Sequence, residues 1–219
     1  MLPNDGKCNE DRAFVKNIIF TDEATLTLNN EPNLQNCRIW ARENPRNVLH
    51  TRTQYPQKIN VWVGLLGHHI IGPFFLQENL TGGRFLQLLQ EEIAPAVTEV
   101  TREDQEIWFQ MDGCPAHNSH SVREFLNESF NYNVIGPNYA INWPARSADL
   151  SPNDFFLWGY LKSKVYSGQT FQNLEQLKNC IQTECDNISR YKLANVRRHF
   201  QDRLGHCLAV NGDLFEHLM

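Results

Sequence analysis

Short apolar runs, several of them ending in an acidic or polar residue, recur along the chain, as expected of buried strands. Turn signals follow some of these runs, such as the paired asparagines at 29–30 and the Gly-His-His sequence at 67–69. We predict seven strands from this pattern, at 17–22, 25–28, 37–40, 59–66, 70–76, 107–111 and 134–135.

Apolar residues recur at helical spacing in most of the remaining segments, increasingly so toward the C-terminus. Thr81 or Gly82 is a plausible start for the first helix, and Ser151 and Pro152 suit the cap and first turn of the third. The predicted helices are 84–100, 119–130, about 153–162, and two more beyond Thr170. Strands early and helices late predict a mixed α/β domain with a helical tail.

The composition is that of a globular domain, since 41% of the 219 residues are hydrophobic and 21% are charged. A formal net charge of -5 lacks the basic character usual in a domain that binds DNA by itself. The polar N-terminus does not resemble a secretory signal, and the apolar stretch 59–76 is interrupted by Gly, His and Pro, so no membrane span is predicted. Six scattered cysteines are predicted to be reduced thiols.

Positive charge is nevertheless concentrated in two regions. The polar stretch 41–58 is predicted to be a long exposed loop, which in a compact domain is usually functional or mobile. The other region, near the C-terminus, is either a DNA-facing stripe or a helix surface neutralised by acidic neighbours. The cationic residues are Arg42, Arg46, Arg52 and Lys58 in the loop, and Arg190, Lys192, Arg197, Arg198 and Arg203 near the C-terminus.

Three aspartates occupy positions where side chains could converge at one edge of a sheet. Asp22 and Asp112 each follow an apolar strand, and Asp154 lies in the first turn of a predicted helix. Carboxylates packed together resist joint ionisation, and hard divalent cations with oxygen ligands relieve the repulsion. Two such ions, roughly 4 Å apart, activate the attacking oxygen and stabilise the leaving oxygen of a phosphodiester. A three-Asp cluster therefore suits phosphoryl transfer on nucleic acid.

Each of these aspartates also has an ordinary structural explanation, and spacing alone leaves both readings open. Asp22 could form a turn at a strand end, and Asp112 could belong to a tight turn with Gly113. Asp154 could simply be favoured by the helix dipole in the first turn.

The sequence around the aspartates resembles the motifs of mariner-family DNA transposases. Segment 18–25 (IIFTDEAT) resembles the first-aspartate motif, and 108–117 (WFQMDGCPAH) resembles the second. Segment 143–162 (WPARSADLSPNDFFLWGYLK) resembles the third, and 215–218 (FEHL) resembles the family's C-terminal tail. The motifs are long and in the family's order. The 41 residues between the second and third aspartates fit the branches with Asp rather than Glu in third place.

The resemblance implies a ribonuclease H-like fold, an α/β class with a mixed central sheet flanked by helices and a helical C-terminal tail. It implies that Asp22, Asp112 and Asp154 bind two Mg²⁺ ions, for which Mn²⁺ substitutes. The implied reaction is cleavage at transposon ends followed by strand transfer into target DNA. The resemblance further implies a homodimer in which the loop at 42–58 contacts the partner subunit. It also implies that the protein acts in the nucleus and does not bind a membrane.

The expected organisation is a lead-in over 1–15 and a catalytic domain over 16–219 that includes C-terminal helices from about 172. The family's N-terminal helix-turn-helix domains, which recognise the terminal repeats of the transposon, are expected to be absent. The chain is then expected to carry the catalytic residues without the sequence-specific DNA-binding domains. One alternative function is a domesticated or truncated remnant that binds DNA or protein without catalysis. Another is a different nuclease with the same fold, such as one that cuts RNA–DNA hybrids. The motif residues around the aspartates disfavour this second alternative.

Further residues near the aspartates are candidates for supporting roles. His117 either contacts the scissile phosphate or orients a metal ligand, or else it closes the loop after the strand. Arg146 is a candidate phosphate contact. Glu23 is expected to point away from the metal-binding face, because successive side chains of a strand alternate between its two faces.

Two positions depart from the family pattern, with Cys114 where Ala is usual and Ala148 where Pro is usual. Cys114, His117 and His120 could also be interpreted as zinc ligands. Their spacing is short and no fourth ligand is evident, so we do not favour zinc.

Overall fold

A five-stranded mixed sheet lies at the centre of the computed structural model, which describes residues 14–28, 57–76, 79–144, 147–168, 170–213 and 215. The strands are β1 (Ile18–Thr27), β2 (Lys58–Leu66), β3 (His69–Leu76), β4 (Trp108–Gln110) and β5 (Val134–Ile135). Their order is β3-β2-β1-β4-β5. The pairs β1–β2 and β2–β3 are antiparallel, whereas β1–β4 and β4–β5 are parallel.

Helices occupy the segments that the apolar periodicity indicated. The helices are α1 (Gly82–Leu88), α2 (Ala94–Val100), α3 (His120–Ser129), α4 (Trp158–Val165), α5 (Leu174–Asp186) and α6 (Arg190–Ala209). A π-helical turn (Leu89–Ile93) joins α1 to α2, and another (Asn153–Leu157) precedes α4. Short 3₁₀ turns lie at Phe14–Asn17 and Ala148–Leu150. None of the helices that the structure describes has the length and hydrophobicity needed to span a membrane.

The first predicted strand pair is wrong, because 17–22 and 25–28 belong to one strand. β1 pairs with β2 without a break from Ile19 opposite Leu66 to Thr27 opposite Lys58. The acids in the middle of β1 interrupt its apolar pattern but not its ladder. The predicted strand at 37–40 and most of the basic loop 41–58 lie outside the described residues.

Both faces of the sheet are covered, as the alternation along β2 demonstrates. Trp62 and Leu66 pack into a cluster with α1, α2 and α3, whereas Val61, Val63 and Leu65 pack into a second cluster with α4 and α5. A third cluster joins residues of β1 and β4 to α6. Since alternate side chains of a strand point to opposite faces, helices on both sides bury the whole sheet.

The start of α1 packs closely against the start of α3. Thr81 caps α1, because its hydroxyl accepts the backbone N–H of Arg84 at 3.4 Å, which confirms the predicted start. A Cβ at Gly82 would lie 2.7 Å from Oγ and 2.8 Å from Cβ of Ser119. A residue without a side chain is therefore required at this contact. At the next residue, Gly83, an added Cβ would meet nothing within 4 Å.

Candidate active site

Asp22 lies in the middle of β1, and its side chain reaches the helix of the third motif. The indole Nε1 of Trp158, the first residue of α4, donates to Oδ2 of Asp22 at 2.7 Å. Burial raises the pKa of Asp22 to about 7, and the charge of Asp154 adds to the rise, although the indole hydrogen bond opposes it. One oxygen of this carboxylate is thus held by the indole, and the backbone N–H of Glu23 also bonds to the carboxylate.

Asp112 follows β4 by two residues and is fixed by two hydrogen bonds to the same oxygen. Its Oδ1 accepts the backbone N–H of Cys114 at 2.9 Å and contacts Nδ1 of His117 at 2.7 Å. The hydrogen bond from His117 holds the pKa of Asp112 below its usual value. About half of the Asp112 side chain is exposed, so its second oxygen remains accessible.

His117 is almost completely buried, with 2% of its side chain exposed, and it connects two carboxylates. Its Nδ1 faces Asp112, its Nε2 lies 3.2 Å from Oε1 of Glu23, and its ring packs on Phe85 with centroids 4.3 Å apart. Burial alone would lower the pKa of His117, but the hydrogen bonds to Asp112 and Glu23 together raise it to about 10. Because each nitrogen faces a carboxylate oxygen, each must carry a proton to donate.

Asp154 lies in the π-helical turn before α4, as predicted for a first-turn residue. The hydroxyl of Ser151 accepts its backbone N–H at 3.4 Å, which places Ser151 in the capping role predicted for it. Burial raises the pKa of Asp154, and the charge of Asp112 contributes to the rise. Asp154 therefore lies close enough to Asp22 and to Asp112 for their negative charges to repel.

A cavity of about 530 Å³ contains all three aspartates. Its remaining described lining combines polar side chains with the apolar Pro137, Trp143 and Pro144, and none of it is Lys, Arg or His. One further polar group is notable: Gln110 is buried, and its side-chain oxygen has no hydrogen-bond partner among the described residues. The lining residues are Thr21, Asp22, Gln110, Asp112, Gly113, Pro137, Asn142, Trp143, Pro144, Ser147, Ala148, Ser151 and Asp154.

This arrangement fits a divalent cation better than any other ligand class. The negative charges of neighbouring carboxylates are stabilised by a nearby positive charge, and the described lining contains no cationic side chain that supplies one. Carboxylate oxygens are also the ligands that Mg²⁺ prefers. In the described part of the chain, no three or more His, Cys, Asp or Glu side chains are grouped so as to hold one ion by themselves. The carboxylates would therefore need oxygens from substrate or water to complete the coordination of a bound ion.

The structure does not bring the alternative zinc ligands together. Both nitrogens of His117 face carboxylates, while His120 is exposed and lies 3.7 Å from Glu124. Arg146 lies outside the described residues. Among the described cysteines, none of Cys114, Cys180, Cys185 and Cys207 forms a disulfide bond.

Part of the C-terminal basic region is used inside the protein. The Arg203 guanidinium donates to the backbone oxygen of Asp149 at 3.0 Å and lies 4.4 Å from the ring centroid of Phe155. The ammonium of Lys192 lies 4.2 Å from the ring centroid of Tyr160. These two cations attach α6 to the third-motif helix, so the region is not simply a stripe that faces DNA.

The sequence analysis assigned no individual role to Trp158 or to Gln110, although both lie within the motifs. A signal for each was present. Trp158 lies four residues after Asp154, which places the two on one side of a helix, and Gln110 lies two residues before Asp112, on the same face of a strand. The contact between Glu23 and His117 joins residues 94 apart in sequence and had no local signal.

A mixed sheet flanked by helices, with three carboxylates in one cavity, defines a ribonuclease H-like nuclease domain. The family model of the DDE superfamily endonuclease matches residues 17–178, and the chain belongs to this family. The Tc3 transposase of Caenorhabditis elegans is 25% identical over 199 residues, which cover 90% of this chain and 56% of that protein. The chain thus spans about half the length of that curated relative.

Solved structures of the Mos1 transposase share the fold. The catalytic domain of Mos1 mariner transposase superposes with a TM-score of 0.72 at 19% identity, covering 99% of this chain and 98% of that one. The Mos1 paired-end complex with the left transposon end gives a TM-score of 0.75 at 19% identity, covering 99% of this chain and 66% of that one. The resemblance to mariner-type transposases and the ribonuclease H-like fold are confirmed.

Proposed function

We propose that this chain is the catalytic domain of a DNA transposase that cleaves transposon ends and joins them to target DNA with two divalent metal ions. The observation that carries the proposal is the cavity in which Asp22, Asp112 and Asp154 meet with no described cation among its lining. Tc3 and Mos1 are transposases by name, and Mos1 structures have been solved with Mg and with Mn. Both facts support metal-dependent chemistry on DNA.

The three aspartates would hold the metal ions. We assign all three as ligands, with Mg²⁺ as the resident ion and Mn²⁺ as its substitute. When bound, such ions activate the attacking oxygen and stabilise the leaving oxygen of an in-line displacement. The protein contributes orientation, because indole and imidazole N–H groups fix one oxygen each of Asp22 and Asp112.

The other residues that line the cavity would position the DNA and exclude water. Trp143 and Pro144 form an apolar part of the wall, and Gln110 offers a buried amide toward the same space. With no Lys, Arg or His in the described lining, DNA phosphates would be bound through the metal ions and through main-chain or amide donors. The described lining contains no Lys or His that could activate Ser147 or Ser151 as a nucleophile, so we expect direct displacement by water or a DNA 3′-hydroxyl.

Two further proposals come from the family resemblance alone. We propose that the working assembly is a homodimer and that the protein acts in the nucleus. Light scattering of the purified chain, with and without DNA, tests the first, and imaging of a tagged copy in cells tests the second. A non-catalytic role for the chain would predict that DNA binds while no strand is cut.

The proposal is tested by nicking and strand transfer on supercoiled plasmid in Mg²⁺ or Mn²⁺. Wild type is compared with Asp154→Ala and with Asp202→Ala, which removes an exposed acid on α6. We expect nicking by wild type and Asp202→Ala only in the presence of metal, and none by Asp154→Ala. Equal nicking by Asp154→Ala would show that the proposed metal ligands are wrong, and silence of wild type in both metals would count against an active nuclease.

A further inference from the structure

Glu23 lies outside the cavity but is connected to it through a single side chain. Its carboxylate contacts Nε2 of His117, and Nδ1 of the same ring contacts Oδ1 of Asp112. We infer that Glu23 is a positioning residue: it holds His117 against Asp112, so that Asp112 presents one fixed carboxylate oxygen to a metal ion. This inference deepens the proposed function and rests on it.

The two acids of β1 serve opposite faces of the sheet. Asp22 points toward Trp158 and the cavity, whereas Glu23, the next residue, points toward His117. Side chains of successive strand residues alternate in this way. Glu23 is not among the residues that line the cavity, and its side chain is 19% exposed. It therefore does not act as a direct metal ligand in this arrangement.

Asp112 depends on hydrogen bonds for its orientation because it lies beyond the end of β4. Both of its hydrogen bonds are to Oδ1, one from the backbone of Cys114 and one from His117. Oδ2 is consequently the oxygen left for a cation. Hydrogen bonds that hold one oxygen would orient the carboxylate so that it presents the other oxygen to a bound ion.

His117 transmits the effect of Glu23 because its ring has little freedom. The side chain is 2% exposed and packs on Phe85, so the ring cannot find water as a substitute partner. A hydrogen bond to a carboxylate is charge-assisted and roughly twice as strong as one between neutral groups, so Nε2 loses a strong acceptor when Glu23 is replaced by a neutral side chain. The buried ring is then held less firmly, and its hydrogen bond to Asp112 weakens with it.

The test measures metal binding by calorimetric titration of the whole chain with Mn²⁺ and with Mg²⁺. Glu23→Gln keeps the shape of the side chain and removes its charge, and Glu128→Gln makes the same change at an exposed position on α3. We expect Glu23→Gln to weaken metal binding about tenfold, within the range for residues that orient metal ligands. Glu128→Gln is expected to bind metal like wild type.

A double-mutant cycle shows whether Glu23 acts through His117. The variant His117→Asn retains an amide donor for Asp112 but has no atom that reaches Glu23. We expect Glu23→Gln to cause no further loss of metal affinity in that background, since the connection is already cut. Unchanged affinity in Glu23→Gln, or additive losses in the double variant, would overturn the inference.

Nicking assays supply a second readout that a purely structural role would not produce. Glu23→Gln is expected to raise the metal concentration for half-maximal nicking by the same factor while the rate at saturating metal stays near that of wild type. A lower saturating rate with an unchanged metal requirement overturns the inference, and this comparison decides if His117→Asn does not fold. Asp112→Asn separates the two proposals: retained metal binding there refutes the proposed function, whereas its loss there with no effect in Glu23→Gln refutes only the role of Glu23.

Discussion

Asn153 immediately precedes Asp154, and its side chain contacts β2, the strand next to the one that carries Asp22. It is completely buried, and its Nδ2 donates to the backbone oxygen of Val63 at 2.9 Å. Val63 is the register partner of Asp22 in β2, and it lies where the pairing between β2 and β3 shifts, so β3 offers it no register partner. Substituting Asn153→Ala would remove the side-chain donor at this point.

The expected cost follows from the burial of the groups involved. The backbone oxygen of Val63 keeps the N–H of Asp22 as a partner, because the alternation of the β1–β2 ladder from Leu28 opposite Gln57 makes Asp22 and Val63 a hydrogen-bonded pair. Asn153→Ala therefore deletes one buried hydrogen bond, worth about 0.5–1.5 kcal/mol, and some side-chain packing. The Oδ1 of Asn153 has no partner among the described residues, so removing it returns part of the cost. We expect a net loss of about 1 kcal/mol. In a domain of this size each kcal/mol lowers Tm by about 2–4 °C, so Tm should fall by about 2–4 °C.

Thermal unfolding followed by circular dichroism measures this effect, with Asn179→Ala at an exposed position of α5 as the control. Nicking well below both melting temperatures should also fall, on the order of tenfold, because Asp154 loses the contact that places its helical turn against β2. The reasoning is refuted if the Tm of Asn153→Ala is indistinguishable from that of the control. It is also refuted if Tm falls as expected but nicking is unchanged, since the contact would then be structural only.

Three further predictions concern the packing and the cavity. Gly82→Ala should destabilise the fold by about 1–3 kcal/mol through its clash at the start of α3, whereas Gly83→Ala should stabilise it by about 0.5–1 kcal/mol in urea unfolding. Trp158→Phe should weaken metal binding about 10- to 100-fold, because it deletes the N–H that donates to Asp22. Gln110→Met should raise the free energy of unfolding by about 1 kcal/mol, because it removes a buried oxygen without a partner.

These predictions have matched controls. Leu161→Ala, in the same core cluster as Trp158, should lower stability by about 2–5 kcal/mol without weakening metal binding. Equal weakening by both would exclude the indole hydrogen bond as the cause. For the glycines, similar effects at both positions would contradict the packing argument. A lower unfolding free energy for Gln110→Met would show that its amide is satisfied in solution.

Periodicity predicted most of the secondary structure because burial on one or both faces leaves a local pattern. It failed in β1, where Asp22 and Glu23 break the apolar run and made one strand look like two. The strand tolerates them because Trp158 and His117, 136 and 94 residues away in sequence, contact their side chains. Such partners are set by the fold, and no local pattern contains them.

The candidate site was predicted to a similar extent. A strand end and a helix start indicated the positions of Asp112 and Asp154, whereas Asp22 lies in the middle of β1 and not at its end. The residues of the motifs indicated the chemistry expected of all three. The residues that orient them were harder to recognise. His117 was assigned a choice of roles, and the structure places it between Asp112 and Glu23, in contact with both. The alternation that placed Glu23 on the opposite face from Asp22 gave no indication that Glu23 is connected to Asp112 through His117.

The central claim is that Asp22, Asp112 and Asp154 together bind divalent metal ions. Crystals of the protein grown with Mn²⁺ and measured at the manganese absorption edge test it most directly, because anomalous scattering locates the metal independently of the protein atoms. The account predicts anomalous peaks in the cavity within coordination distance of the free oxygens of these carboxylates, and their loss in Asp112→Asn. Peaks elsewhere on the protein, or an empty cavity at saturating Mn²⁺, would contradict it.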